Sequence, residues 1–466
     1  MLVIGSMIGS GIFIVSADIA RTVGSPGWLI MTWVITGIIT LTAALCYGEL
    51  AAMMPKAGGQ YVYLREAWNP LIGFLYGWTL FLVIQSGTIA AVAVAFAKYT
   101  GVLIPWFSEK NILFQAGKFK ITAAQILAII SIAVLTMINL RGIKLGKIVQ
   151  DIFTFAKSSA LLLLIAFGFI LGIGSLAMTH NFSNFWSATW THISDGKITS
   201  IESLSGITLV TAIGVAMVGS IFSSDAWNNI TFTAGEVKDP KRVIPLSLLI
   251  GTGVVTLIYI AANFSYLFVL PLNGSPEGIT SLERGIQFAT SDRVAAAAVN
   301  VFLGDTAAIV MAVMIMVSTF GCNNGLILAG ARATYAMAKD KLFFRHTGLL
   351  NKNGVPAGAL IFQAVWASLL CLSGTYSDLL DYVVFAVMIF YILTILGLFR
   401  LRKIKPDEPR PYKTLGYPFL PAFYILLAII ICVILLIYKP EFTWPGVGIV
   451  VLGIPVYFIW KKFNSS

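Results

Sequence analysis

The chain has 466 residues, of which 58% are hydrophobic and only 11% charged. Soluble domains carry about 25% charged residues, so a surface this poor in charge excludes a water-soluble enzyme or binding module. The net charge of +11 would suggest nucleic acid in a soluble protein; here it asks on which side of a membrane the charge lies.

A helix needs about 20 apolar residues to cross a bilayer core. Such stretches occupy roughly residues 1–22, 27–54, 70–104, 121–140, 146–174, 206–235, 243–272, 304–338, 357–374, 378–401, 415–438 and 443–460. They predict an all-α polytopic membrane protein of twelve transmembrane helices, in a single domain over 1–466. The first stretch carries internal glycines and no small-residue cleavage site after a basic start, so it reads as a span and not as a signal peptide. It starts without a lead-in, as expected of a sequence that lacks part of its natural N-terminus. An even number of spans puts both ends on one side. The connections on that side collect 21 of the 31 basic residues, among them Arg141, Lys144, Lys147, Lys238, Lys241, Arg242 and the run 400–413. The positive-inside rule then places both termini in the cytoplasm, and the excess charge becomes topology rather than a nucleic-acid footprint.

Cys46, Cys322, Cys371 and Cys432 fall in apolar segments without C-x-x-C spacing, and His180, His192 and His346 are scattered. Neither a disulfide framework nor a metal centre is expected. No nucleophile–base–carboxylate set appears, so the chain reads as a non-enzyme without a cofactor.

The first span contains Gly5-Ser-Met-Ile-Gly-Ser-Gly-Ile-Phe13. Each interior glycine costs a helix about 1 kcal/mol against alanine, and irregular backbone at membrane depth survives only beside a cavity or inside protein. Two readings fit: close helix packing through Gly5-x-x-x-Gly9, or a break at Gly9-Ser10-Gly11 whose freed N–H groups suit a carboxylate. The sixth span decides for the break, because Gly219-Ser-Ile-Phe-Ser-Ser-Asp-Ala-Trp-Asn-Asn229 places Asp225 and several polar residues mid-membrane. A charge there costs at least about 2.5 kcal/mol. Interrupted helices in corresponding positions of two halves point to a transporter binding site. Spans one and six are five apart, an odd offset, so the halves would be inverted repeats.

Lys157 lies well inside the fifth span. It either snorkels to the inner surface near Asp151, or is a buried ammonium that holds the broken first helix, stands in for a coupling cation or handles a proton. Tyr259 in the seventh span is placed to hydrogen-bond near it. Phe222 and Trp227 flank the second break. Glu49, Glu236 and Arg332 mark inner span ends, where pairing or solvation is expected. The stretch 55–65 reads as an amphipathic inner loop.

These residues resemble the L-type amino acid transporter branch of the amino acid–polyamine–organocation superfamily. The likeness runs along Gly5–Phe13, Glu49–Gly59, Asn139–Gly146, Val149–Lys157, Glu236–Pro245, Gly330–Tyr335 and Arg410–Lys413. It implies a five-plus-five inverted-repeat fold of the LeuT-like kind, with helices 1 and 6 broken and two extra helices. Repeat one would cover about 1–174, repeat two about 206–401 and helices 11–12 about 415–460. It further implies alternating access at the plasma membrane and sodium-independent, one-for-one exchange of L-amino acids, most readily neutral ones. Ser10 and Gly11 would bind the substrate carboxylate, and the carbonyls of Met7 and Phe222, with Asp225, the amine. Ile8, Gly9, Ser223, Trp227 and Asn228 complete the implied substrate set. Lys157 would fill the family's former sodium site beside Tyr259. Ser318, Phe320 and Phe385 are approximate positions on spans eight and ten. Mammalian members carry a cysteine after the third span that bonds to a glycoprotein; residues 101–120 hold none, so no disulfide-linked heavy subunit is expected, as in a stand-alone prokaryotic member. The partners implied are L-amino acids and membrane lipids. Asp225 would complete the amine cage or pair with cationic substrates. Proton-coupled import, exchange of cationic amino acids or polyamines, and a channel or receptor remain the competing readings; saturable counterflow separates the carriers from the channel.

Overall fold

The computed structural model describes residues 1–117, 119–194, 197–372 and 376–464. Lys118, one of the basic residues assigned to the outer side, and residues 373–374, the end of the ninth expected span, lie outside them.

The first span is cut into α1 (Leu2–Met7), α2 (Gly11–Ile14) and α3 (Ser16–Val23). Ile8 leaves helical geometry at φ −73° and ψ 95°, whereas Val15 keeps it, so residues 11–23 share one axis. Gly24 then stops the chain at φ +50°, a conformation that favours glycine. Ser25 caps α4 (Pro26–Met53), with Pro26 in the first turn where its missing N–H is harmless. α5 (Gln60–Ala67) is a short helix on the following loop. The third span runs as α6 (Pro70–Thr79), a π-helical turn over Leu80–Ile84, and α7 (Gln85–Leu103).

A hairpin of β1 (Ile112–Ala116) and β2 (Phe119–Thr122) precedes α8 (Ala123–Leu140), which a Thr122–Gln125 capping box starts. α9 (Ile143–Gly172), α10 (Leu176–Ser183) and a second hairpin, β3 (Thr189–Ser194) with β4 (Lys197–Ser203), follow. The sixth span is α11 (Gly206–Ser223) and α12 (Asn229–Phe232), separated by a turn in which Ala226 has φ +63°. α13 (Pro240–Val269), α14 (Ser281–Arg284), α15 (Val294–Leu303), α16 (Thr306–Lys339), α17 (Ala357–Cys371), α18 (Tyr376–Ile404), α19 (Phe419–Tyr438) and α20 (Pro440–Asn464) complete the chain.

Among the described residues ten helices are long and apolar enough to cross a membrane, against the twelve spans expected. Both differences have a physical cause. The break leaves no piece of the first span long enough, and α17 has only 15 residues. The two short hairpins lie in the connections between spans, and the protein is the helical polytopic membrane protein expected.

α13 lies along α4, and α16 along α7 and α9. Without a hydrophobic drive between helices in lipid, such packing rests on close backbone approach. Gly168 shows the need: a Cβ there would sit 1.8 Å from Ser265 Oγ. One face of the protein carries the basic connections, and ion pairs knit it together. Glu49 is fully buried between Arg402 (2.6 Å) and Arg410 (3.3 Å). Arg332 pairs with Glu236 at 2.9 Å. Arg65 joins α5 to Asp340 and pairs with its neighbour Glu66, which Lys405 reaches at 3.1 Å.

Burial opposes the charge on Glu66, but hydrogen bonds from Lys405 and Arg65 outweigh it and hold the carboxyl below its ordinary range. A carboxylate depressed in the folded state contributes stability above its unfolded pKa and loses it as pH falls through the folded value. Glu66→Gln is therefore expected to destabilise by at most about 1 kcal/mol at neutral pH, as for a partly exposed pair. The gap to the parent closes on acidification below pH of about 4, read by thermal melting in detergent.

Candidate functional site

The end of α1 leaves carbonyls without intrahelical donors and carries the negative end of the helix dipole. Lys157 of α9, 1% exposed, turns its ammonium into that end. Its Nζ donates to the carbonyls of Gly5 (2.5 Å) and Ile8 (2.6 Å) and lies 3.4 Å from that of Ser318. Snorkelling is thereby excluded: the head is among carbonyls, not at a surface. Ser318 Oγ adds a donor 3.0 Å from the carbonyl of Gly9, and Cys322 Sγ one 3.0 Å from that of Ser6.

The second break is tied to the first. The hydroxyl of Tyr259, on α13, lies 3.0 Å from the carbonyls of both Met7 and Ser223, joining the ends of α1 and α11. Gly11 opens α2 directly against Ser223, where an added Cβ would meet Oγ at 2.0 Å and Cα at 3.1 Å. Ser10 is 1% exposed, and its carbonyl accepts from the Phe13 N–H at 3.1 Å. Phe222 sits in the last turn of α11. By helix geometry the N–H groups of Gly11 and Ile12 that open α2 have no acceptor within the helix, so the two breaks together bring donors, carbonyl acceptors and a fixed positive charge to one level.

Beyond the second break the chain faces a small cavity of about 20 Å³, lined among others by Gln60, Tyr76, Gln85, Asp225, Asn229 and Tyr391. Asp225 accepts from the Tyr391 hydroxyl at 2.5 Å. Trp227 packs edge-on to Tyr47, centroids 4.8 Å apart, and lies 5.3 Å from the ring of Tyr391. Asn228 Nδ2 donates to Gln60 Oε1 at 3.0 Å, and Gln60 Nε2 to Thr394 Oγ1 at 3.0 Å. Gln60 thus plugs the cavity from the basic face. Asn229 Nδ2 is a buried donor with no protein partner.

The expected set therefore falls into two groups. Met7, Ile8, Gly9, Gly11, Ser223, Lys157, Tyr259 and Ser318 converge on the backbone breaks. Asp225 and Asn228 face the polar cavity, with Trp227 against its Tyr391 wall. Span eight lends the cavity Leu326 and not Phe320, which packs on Phe96 and Phe153; span ten lends Val387 and Tyr391 and not Phe385. Gln60, Gln85, Asn229 and Tyr391 were not singled out by sequence, although a polar amide inside an apolar span was the signal for Gln85 and Asn229.

The sequence model of the amino acid permease family matches residues 1–459. The large neutral amino acids transporter small subunit 2 of Mus musculus is 30% identical, over 98% of this chain and 79% of its own length. The serine/threonine exchanger SteT of Bacillus subtilis (strain 168) is 29% identical, over 100% of this chain and 96% of its own. The b(0,+)-type amino acid transporter 1 of Mus musculus is 27% identical, over 99% and 86%. All are transporters and none is an enzyme.

Tyr259→Phe removes the hydroxyl that spans both breaks while keeping the ring against Trp33. The variant is expected to insert and melt within about 2 kcal/mol of the parent, yet to lose most amino acid flux in reconstituted vesicles.

Proposed function

The chain belongs to the amino acid permease family, and from that premise we propose that it exchanges neutral L-amino acids one for one, without sodium, across the plasma membrane. The basic face is cytoplasmic, following the positive-inside rule. The fold works by alternating access of two inverted five-helix repeats, about 1–174 and 206–401, with the helices of 415–460 outside them. The start of α2 at Ser10 and Gly11 takes the substrate carboxylate; the carbonyl ends of α1 and α11 take the amine.

One observation carries the sodium independence. The carbonyls of Gly5, Ile8 and Ser318 surround an ammonium that belongs to the protein. Carbonyls so arranged suit a small cation, and a fixed Lys157 supplies the charge without a co-transported ion. The burial of all four cysteines supports a carrier without a disulfide-linked subunit.

Proteoliposomes loaded with unlabelled L-amino acid are expected to take up labelled L-amino acid in sodium-free buffer, and empty vesicles to take up little. Equal uptake into both would overturn exchange; uptake into empty vesicles driven by an imposed pH gradient would favour proton-coupled import. A preference for cationic substrates is the second reading, favoured by the Asp225 carboxylate in a polar cavity. On that reading Asp225→Asn weakens cationic substrates at least about tenfold, the worth of one charged hydrogen bond, and leaves neutral ones unchanged. The amine-cage role predicts that both weaken together.

A further inference from the structure

On the face opposite the basic one, α3 packs on α11, β3 and α4, and the loop of residues 270–293 reaches its last turn through side chains. Arg21, in the last turn of α3, donates to Asp292 Oδ1 at 2.6 Å and to the carbonyl of Gln287 at 2.7 Å. Gln287 Nε2 returns a bond to the carbonyl of Ala20 at 3.1 Å, which also accepts from the capping Gly24 N–H at 2.9 Å. The Arg21 side chain is 16% exposed. The neighbouring Arg293 stacks its guanidinium over the ring of Tyr99 on α7, 5.0 Å from the centroid. One short turn therefore connects the half-helix that opens at Gly11 to the third span.

That turn is held in an unfavourable backbone. Ser291 and Asp292 are consecutive non-glycine residues at φ +55° and +59°, a left-handed region that disfavours ordinary side chains. Ser291 is exposed, so nothing in its own side chain accounts for the conformation. What the conformation achieves is the position of the Asp292 carboxylate on Arg21. Strain of this kind persists where the surroundings over-determine it and clusters at clamps and switch regions.

We propose that Arg21 and Asp292 form the latch that closes this face, with Asp292 a positioning residue that acts on the substrate cradle through α3 and α2. The turn is sprung against the ion pair: the pair favours the closed arrangement and the left-handed backbone opposes it, so that the face can reopen. The inference assumes the alternating access proposed above, but its test needs no substrate. A failure of amino acid exchange would therefore leave it open to judgement on its own terms.

Hydrogen–deuterium exchange of the full chain in lipid nanodiscs, without added amino acid, reads both faces at once. Asp292→Asn is expected to raise exchange in peptides covering residues 11–24 and 286–294 by about threefold or more. It should also lower exchange in residues 58–68, because a carrier open on one face must close on the other. Ser291→Gly removes the backbone opposition and leaves the ion pair; it should do the reverse, slowing residues 11–24 by about threefold and exposing residues 58–68. The charge swap Arg21→Asp with Asp292→Arg should move exchange back toward the parent. A rise at residues 11–24 without the fall at 58–68 would mean local loosening and overturn the latch. So would no change, or Ser291→Gly moving in the same direction as Asp292→Asn. If Asp292→Asn does not insert, the sign of the Ser291→Gly response alone decides.

Discussion

A helix that stops at membrane depth leaves carbonyls that neither water nor the next turn can satisfy, and each costs several kcal/mol in lipid unless something meets it. In this protein one ammonium meets the carbonyls of Gly5 and Ile8, while Tyr259, Ser318 and Cys322 meet those of Met7, Gly9 and Ser6. Lys157 places its charge on the carbonyls of Gly5 and Ile8, at the negative end of α1. The charge and the carbonyls each remove the other's desolvation problem: neither half of the arrangement is tolerable alone. Everything else at the centre follows from having a stable break there. Gly11 can open a new helix against Ser223 only because Ile8 has already turned the chain. Tyr259 can tie the two breaks only because both end in carbonyls at the same level.

The two faces of the molecule are held by different means, and this bears on how it moves. The basic face is a mesh in which α5, α16 and α18 are joined by Arg65, Glu66, Asp340 and Lys405, with Gln60 beneath them against Asn228 and Thr394. On the hairpin face α3 packs on α11, β3 and α4, and its last turn is tied to the 270–293 loop by Arg21 and Gln287. The partly exposed pairs of Arg65, Glu66 and Lys405 are individually weak, so loosening that part of the mesh costs little per bond broken. A rigid centre between two faces tied by side chains suits a carrier better than a channel, which would need no pair of interrupted helices.

Much of this was legible in the sequence because membranes punish the wrong residue in the wrong place. Glycines and serines in the first span, Asp225 in the sixth and Lys157 in the fifth stand out against apolar surroundings, and the structure puts breaks or buried partners at each. The first break falls at Ile8–Ser10, close to the expected Gly9-Ser10-Gly11. Side-chain direction was not legible. A run such as Phe222–Asn228 marks a break but not the fact that Asp225 and Asn228 turn toward α18 and α5, since the positive φ of Ala226 sets that geometry. Gln60 and Tyr391 were missed for a related reason: each looks ordinary on its own element, and only tertiary packing brings them to one cavity. The hairpins and the short α17 escaped because apolar run length is a coarse measure of where helices begin and end.

The account stands or falls on whether the charge of Lys157, and not merely its bulk, holds the break. Amino acid exchange by Lys157→Ala vesicles, with and without a small alkylammonium ion such as propylammonium, measures that directly. Exchange is predicted to fall by at least about tenfold, in line with an uncompensated buried polar cluster of a few kcal/mol, and to recover in part when the alkylammonium restores a positive charge beside the carbonyls. Undiminished exchange in the variant without any added cation would contradict the account.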